Sequence, residues 1–292
     1  MLSILIPVYN YDISNLVQEL HSQCIKAEVN FEIIVADDNP GGPLNRVNSE
    51  IAFLSHCKYI LNKHNLGRTR TRKSLAVMAQ YETLLFLDAD VIPVNSIFIN
   101  KYLHYAGKHN QVVVGGYAYK PQKPINGENL RYKYGVKREQ KTAAERSLSA
   151  YENVFSGNFM IDKQAFLTSN YNGDGNFYGM DNYFSYQLYI HKVNVMHIDN
   201  PIYHLGLEND AVFFAKCLES VRNRKLLLED APGIENINSL LRYYKILKKY
   251  SLAGVAGLIF KTAAPLLKKL ILQKDPNLFC LDLYRLGYIC YI

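Results

Sequence analysis

The chain has 292 residues, of which 49% are hydrophobic and 20% charged, so its composition is that of a globular protein and excludes an intrinsically disordered chain. Its five cysteines lack the C-x-x-C spacing of a structural metal site, and we interpret them as free thiols in a reducing compartment. The net charge of +7 suggests an anionic partner. Nucleic acid is disfavoured as that partner because the sequence contains no recognition-helix or aromatic RNA-binding motif.

Short apolar runs, the first two of them rich in β-branched residues, alternate with helical periodicity through the first half of the chain. The pattern predicts strands at residues 2–8, 31–36, 84–87 and 111–115, with helices near residues 14–25, 69–79 and 97–106. Such alternation with short connections predicts an α/β fold with a mostly parallel central sheet flanked by helices. Ligands of such sheets bind beyond the carboxyl ends of the strands, so the residues that follow each strand are the first site candidates.

The second half of the chain is predicted to continue with mixed elements. Residues 120–147 are polar and basic, and they fit either an arm over a binding site or a solvated insertion. A strand is expected at residues 154–160, a helix from Asp162, a helix after Asp181, a strand at residues 193–198 and a long helix after Asn209.

Two carboxylates separated by one residue follow the predicted strand at residues 84–87. Asp88 and Asp90 point the same way on a pleated backbone, and burying both unpaired would be costly. A surface position or a bound cation would relieve that cost. Mg²⁺ and Mn²⁺ favour carboxylate oxygens together with phosphate oxygens, so this pair is the leading candidate for a metal site.

A second acidic pair, Asp37 and Asp38, ends the strand at residues 31–36. One of these carboxylates could accept a hydrogen bond from a nucleotide base or a ribose. The alternative is turn chemistry, because the Asp-Asn-Pro-Gly-Gly sequence is a strong turn signal by itself and the residues alone favour this second interpretation.

Four cations stand within six residues at a predicted helix start: Arg68, Arg70, Arg72 and Lys73. A helix N-terminus with guanidinium groups beside it is suited to a diphosphate. A nucleic-acid patch and a solvated helix face are the alternatives, and the helical spacing puts Arg70 on a different side from Arg68 and Arg72.

A basic, apolar stretch lies near the end of the chain. Residues 239–274 contain eight Lys and Arg residues and no Asp or Glu. The longest uncharged run there, residues 250–260, is too short for a transmembrane helix, which needs about 20 apolar residues. The stretch is consistent with peripheral contact with an anionic membrane or with amphipathic helices that expose a basic face to water.

The order of these motifs resembles the family 2 glycosyltransferases, which have the GT-A, Rossmann-like fold. The resemblance covers residues 3–207 and rests on a P-x-Y-N segment after the first strand, the acidic pair, an N-x-G segment followed by Arg72, the D-x-D motif, a G-N-F segment from Gly157, and a late acidic helix start at Asp181. It implies an inverting transfer from a nucleotide-diphosphate sugar, with UDP expected as the nucleotide. The implied acceptor is a glycan or a lipid-linked molecule in surface polysaccharide synthesis.

The resemblance also implies a role for each matching position. The nucleotide base would be held by Pro7, Val8, Tyr9 and Asp38, and Arg72 would lie near the diphosphate or the base. Asp88 would contact the ribose or metal-bound water, and Asp90 would ligate Mn²⁺ or Mg²⁺. Asp181 would be the general base. His204 follows a strand-like run at the place where related transferases carry a metal or phosphate ligand. A histidine nitrogen beside a carboxylate favours Mn²⁺, although a structural role for His204 is the alternative.

The predicted organisation is a GT-A domain at residues 1–230, with a nucleotide-binding half at 1–115 and an acceptor half at 116–230, followed by a helical, basic and apolar extension at 231–292. Because the first strand begins at residue 2 without a signal-peptide pattern, we expect a cytoplasmic location, with peripheral contact at the inner membrane face as an option.

Two departures from the family pattern concern the site. Met180 precedes Asp181 where family members usually have Glu, and Thr71 and Lys73 flank Arg72 in place of the commoner Ala and Asn. A catalytically inactive scaffold is therefore one alternative function. A nucleotidyltransferase is a weaker one, because no glycine-rich loop follows the first strand.

Overall fold

The computed structural model describes residues 1–121, 127–173 and 177–292. Residues 122–126 of the predicted polar arm lie outside the described residues. The strands are β1 Leu2–Val8, β2 Phe31–Asp37, β3 Cys57–Leu61, β4 Thr83–Leu87, β5 Val91–Pro93, β6 Gln111–Val114, β7 Tyr117–Ala118, β8 Asn158–Asp162, β9 Asn194–His197 and β10 Ile202–His204. The α-helices are α1 Ser14–Lys26, α2 Asn45–Ser49, α3 Arg68–Met78, α4 Phe98–Leu103, α5 Asn129–Tyr134, α6 Ala143–Ser147, α7 Lys163–Ser169, α8 Asp181–Ile190, α9 Asp210–Leu228, α10 Ser239–Lys249, α11 Ala253–Ile271 and α12 Leu278–Tyr291.

The chain forms two compact units that alternate along the sequence. The first consists of Met1–Tyr119, Gln140–Asn176 and Gln187–Gly206, and the second of Lys120–Glu139, Phe177–Tyr186 and Leu207–Ile292. The domain boundary expected at residue 230 stays a prediction.

The first unit contains a seven-stranded sheet in the order β3-β2-β1-β4-β8-β6-β9. Strand β1 is parallel to β2 and β4, β2 is parallel to β3, and β6 is parallel to β9, whereas β8 is antiparallel to both of its neighbours. The mostly parallel sheet flanked by helices is thus confirmed. Strand β1 is almost entirely buried, as expected for a central parallel strand. Pro7 fits there because β1 pairs with β4 only over Ser3, Ile4 and Leu5, so its missing N–H breaks no bond to β4.

A smaller sheet of three short strands, in the order β5-β10-β7, belongs to the same unit. Strand β10 is antiparallel to β5 and parallel to β7. In this register His204 is paired with Val91, the residue after Asp90. The small sheet therefore brings together two chain segments that are far apart in sequence.

Strands β3 and β8 are among the elements that differ from the sequence-based prediction. The sequence pattern did not predict β3 at all, and its half-exposed residues explain the weak signal. Strand β8 begins at Asn158, four residues later than expected, and the carbonyl of Ser156 just before it accepts a hydrogen bond from the Arg72 guanidinium at 2.6 Å.

The second unit is helical in its described residues. Its core cluster joins α5, α9, α11 and α12 through Leu130, Phe213, Phe214, Ile271, Cys280 and Leu281. The predicted helical C-terminal region is confirmed. Among the described residues, no single helix has the length and apolar character needed to cross a membrane, while α10 and α11, bent by 117° at their junction, meet that criterion only when taken together.

Candidate functional site

Polar residues gather where β1, β2 and β4 end. Because β1 runs parallel to both neighbours, the carboxyl ends of the three strands lie at one edge of the sheet. Tyr9 follows β1, Asp38 follows β2 and Asp88 follows β4. This is the edge at which open α/β sheets bind their ligands.

Asp88 is held between two guanidinium groups. Its Oδ2 is paired with Arg68 and its Oδ1 accepts from Arg72 at 2.7 Å. The two arginines lie four residues apart on α3 and therefore share one helix face. Burial of Asp88 opposes ionisation, but the charges of Arg68 and Arg72 outweigh it and hold the pKa of this carboxyl well below its ordinary value. Asp88 is consequently an anion whose two oxygens are already occupied by cations.

Asp90 lies beside the imidazole of His204. The Oδ2 atom of Asp90 is 3.5 Å from Nε2 of His204, and the backbone N–H of Leu205 donates to the Asp90 carbonyl at 2.8 Å. Burial raises the pKa of Asp90, the charge of Asp88 raises it further, and His204 counteracts both. This carboxyl is short of positive charge in comparison with Asp88.

Aromatic rings surround this pair. The imidazole of His204 lies 5.8 Å from the ring of Tyr117 and 5.9 Å from that of Tyr119, measured between centroids. Burial raises the pKa of the Tyr11 phenol, and the nearby charge of Asp90 adds to that effect. The imidazole next to Asp90 thus packs against two tyrosine rings.

Two glycines allow the carboxylates to approach the backbone closely. A Cβ atom at Gly206 would clash with the carboxylate of Asp90, and one at Gly157 would clash with Asp88 and with the Tyr117 hydroxyl. Gly157 belongs to the G-N-F segment of the sequence. The backbone of Gly206 therefore contacts the Asp90 carboxylate, and that of Gly157 contacts the Asp88 carboxylate.

The second acidic pair is bound by neutral donors. Asp38 accepts hydrogen bonds at 2.8 Å from the Asn62 amide and from the backbone N–H groups of Leu66 and Gly67. Asp37 accepts bonds from the side chains of Tyr59, Asn45 and Asn48 and from the Asn39 backbone. For Asp37 the turn interpretation fits these contacts. Asp38 ties the end of β2 to the loop that leads into α3.

The remaining predicted base contacts occupy the end of β1. Pro7 and Val8 lie within the strand, and Val8 is buried. The carbonyl of Val8 accepts a bond from the Asp38 N–H at 2.8 Å. Tyr9 is 60% exposed, so its ring has a free face for stacking. Contact between these residues and a base stays a prediction.

Of the basic cluster at the start of α3, Arg72 is buried and Arg68 is partly exposed. Arg72 donates to Asp88 and to the carbonyl of Ser156, which explains why it is not directed to solvent. The side chain of Arg68 is 47% exposed although it is paired with Asp88. The sequence-based site did not include Arg68; its helical spacing of four from Arg72 was the signal that could have singled it out.

Asp181 is the first residue of α8 and belongs to the second unit. The four other residues of the sequence-based chemistry, Arg72, Asp88, Asp90 and His204, are in the first unit. The catalytic role of Asp181 stays a prediction.

A divalent cation fits the donors at Asp90 and His204. Among residues 1–121, 127–173 and 177–292, no three His, Cys, Asp or Glu side chains group as a metal site. One carboxylate oxygen and one imidazole nitrogen are nevertheless a suitable partial set for Mn²⁺, which takes further ligands from substrate phosphates and water. Burial and the charge of Asp88 raise the pKa of Asp90, and a bound cation would favour its ionised form.

Comparison with known proteins identified one family and solved structures with a similar fold. A family model described as Glycosyl transferase family 2 matches residues 3–168. No curated protein matches the chain. A mannosyltransferase, PcManGT from Pyrobaculum calidifontis, whose structure is in complex with GDP-Man and Mn²⁺, has a similar fold with a TM-score of 0.63 and 15% identity over 99% of this chain and 85% of that one.

TarS of S. aureus is also similar, with a TM-score of 0.51 and 16% identity over 80% of this chain and 41% of TarS. The chain thus spans about two fifths of TarS. At these identities the two likenesses concern the fold.

Proposed function

We propose, because the chain belongs to glycosyl transferase family 2, that it transfers a sugar from a nucleotide-diphosphate donor with inversion at the anomeric carbon. The observation that carries the proposal is the Asp90–His204 pair, at 3.5 Å, beside an Asp88 held by two guanidinium groups. UDP is the proposed nucleotide. The proposed acceptor is a glycan or a lipid-linked molecule in surface polysaccharide synthesis.

The donor binds at the shared edge of β1, β2 and β4. The exposed ring of Tyr9 stacks on the base, while Asp38 positions the end of β2 and the loop before α3. Where Mn²⁺ or Mg²⁺ binds, Asp90 and His204 would hold it, and it would offset negative charge on the diphosphate.

Arg68 supplies the second source of positive charge. It is paired with Asp88 yet half exposed, so its guanidinium can turn from Asp88 to the diphosphate while Arg72 keeps Asp88 ionised. A planar guanidinium binds phosphate oxygens in pairs. Arg68 thereby stabilises the charge that develops on the leaving group.

The transfer is a single displacement. The acceptor hydroxyl oxygen forms a bond to the anomeric carbon as the bond from that carbon to the diphosphate oxygen breaks. The hydroxyl proton passes to the carboxylate of Asp181. An Asp181→Asn variant is expected to keep donor affinity and to lose about 10²- to 10⁴-fold in kcat; transfer at the parent rate would remove Asp181 from the mechanism.

Calorimetric titration of UDP-, GDP-, dTDP- and CMP-sugars, with and without Mn²⁺, tests the donor site. One nucleotide class is expected to bind in a metal-dependent way, and Asp90→Ala should remove the metal dependence. Glu82→Gln is the matched control, since Glu82 is an exposed acid next to the opposite end of β4. If no donor binds to the folded parent protein, a catalytically inactive scaffold explains the protein better than sugar transfer does.

A further inference from the structure

One face of α11 packs against α12 within the second unit. The ring of Phe260 lies against Gly287, and Gly257 faces the backbone of Cys290. These pairs show that the helices are antiparallel, because position rises along one as it falls along the other. The ring of Phe260 also contacts Tyr284 and Tyr288. This face of α11 has its apolar partner.

The opposite face of α11 is apolar and exposed. Four large side chains on it are more than half exposed: Val255 at 53%, Leu258 at 68%, Ile259 at 61% and Leu266 at 63%. Positions 255, 259, 262 and 266 recur at helical spacing and form one stripe. Thr262 also lies in the stripe, and its hydroxyl is satisfied because it donates to the carbonyl of Ile259 at 2.8 Å.

Lysines accompany this stripe without acidic partners. Lys261, Lys268 and Lys269 are exposed, and no ion pair in the described residues involves them. Lys245 and Lys248, on α10, are instead paired with Glu235 and Glu229. Residues 236–274 contain no Asp or Glu. The positive charge of α11 is thus available to an external anion.

Two exposed tyrosines lie on α10 and directly after its last residue. Tyr243 is 54% exposed and Tyr250 is 65% exposed. Each ring lies about 6 Å from a cation of its own segment, Arg242 or Lys249. Tyrosine is favoured at the boundary between hydrocarbon and water because its ring is apolar and its hydroxyl is polar.

We propose that this surface, made of the exposed face of α11 and the Tyr243–Tyr250 side of α10, docks on an anionic lipid bilayer. The apolar stripe would enter the headgroup boundary, and the lysines would contact lipid phosphates. A second copy of the chain fits less well. A two-fold interface sets the same patch against itself, so Lys261, Lys268 and Lys269 would face their own like charges.

The full-length chain should be tested by flotation with vesicles of phosphatidylcholine alone and of phosphatidylcholine with 30% phosphatidylglycerol. We expect binding to the anionic vesicles that weakens in 0.5 M NaCl. Replacing Lys261, Lys268 and Lys269 with Gln should weaken binding by about 10²-fold, since each lysine near an anionic surface contributes about fivefold. A matched triple variant at Lys26, Lys63 and Lys108, which are exposed in the first unit, should bind like the parent.

The apolar part is tested with a Leu258→Gln, Ile259→Gln double variant, expected to lose about tenfold or more in vesicle binding. Its control is Leu148→Gln, because Leu148 is 87% exposed in the first unit. All substituted side chains are exposed, so circular dichroism and thermal unfolding should match the parent.

Failure of the parent to bind anionic vesicles would overturn the proposal. So would a concentration-dependent dimer that the Leu258→Gln, Ile259→Gln variant dissociates. The assay contains neither donor nor acceptor, so its outcome is independent of the proposed sugar transfer. Donor titration of the lysine triple variant should give the parent affinity.

Discussion

The ends of β2 and β4 each carry two aspartates, yet the two regions bind them with different partners. At the end of β2, Asp37 and Asp38 accept hydrogen bonds from amides, a phenol and backbone N–H groups. At the end of β4, Asp88 is paired with two guanidinium groups and Asp90 lies beside an imidazole. The carboxylates at the end of β2 thus accept bonds from neutral groups of the surrounding fold, whereas those at the end of β4 lie beside guanidinium groups and an imidazole.

The two sets of partners predict different effects of substitution. A carboxylate that accepts bonds from several fixed neutral donors stabilises the loops that supply them. A carboxylate paired with a partly exposed guanidinium, as Asp88 is with Arg68, can release that cation to a phosphate. A carboxylate beside an imidazole, as Asp90 is beside His204, can share a metal ion with it. Substitution of Asp37 should therefore change stability, and substitution of Asp88 or Asp90 should change donor binding.

The largest effect is expected for the Asp88→Asn variant, in which a substitution after β4 should change stability as well as donor binding. It leaves the buried guanidinium of Arg72 without its anion, so the free energy of unfolding should fall by about 3 kcal/mol and donor affinity should fall with it. Urea unfolding and donor titration measure the two effects. Unchanged stability would mean that Arg72 finds its charge balance elsewhere.

The Asp37→Asn variant tests whether a carboxylate of β2 contributes to stability and not to donor binding. Loss of one acceptor oxygen among the bonds from Tyr59, Asn45 and Asn48 should lower the unfolding free energy by about 2 kcal/mol. Donor affinity should stay within twofold of the parent, about the error of such titrations. Asp230→Asn is the control at an exposed acid. A large loss of donor affinity would assign Asp37 to the binding site.

Gly206→Ala tests the close approach of Asp90 to the backbone. The added methyl would displace the Asp90 carboxylate, and metal-dependent donor affinity should fall by about tenfold, as for the loss of a supporting contact around a metal. Gly254→Ala is the control, because nothing lies within 4 Å of a Cβ there. Equal affinities for the two variants would show that Asp90 has room to move.

The smallest effect concerns Glu32, an acid of β2 away from the site. Burial of Glu32 opposes ionisation, yet bonds from Gln80, Ser3 and Lys58 bring its pKa below the ordinary value. Its stabilisation is therefore complete above the unfolded pKa of about 4.3 and is lost as pH falls through the lower folded pKa. Glu32→Gln should be less stable than the parent at pH 7 by about 1 kcal/mol. Urea unfolding should show that difference shrinking at about pH 4 and below; a difference that does not depend on pH would refute the assignment.

Much of the sheet and one edge of the site could be predicted from local pattern. Buried apolar runs such as β2 and β4 have a clear signal, and the two aspartates at the end of each are adjacent or separated by one residue. Strand β3 gave no such signal, because only its first residue is buried. The cations of α3 were visible as a cluster, but the choice of Arg68 and Arg72 for Asp88 depends on how the helix is rotated against the sheet.

Buried strands and the polar residues that end them are local features, so the positions of the carboxylates at strand ends could be predicted from the chain alone. The partners of those carboxylates depend on how distant segments pair in the fold. His204 reaches Asp90 because β10 pairs antiparallel with β5, in a register that places His204 opposite Val91. Pairings of this kind join segments more than a hundred residues apart, and their energy comes from hydrogen bonds and packing that no local pattern contains. The same reason explains why two similar acidic pairs have different surroundings.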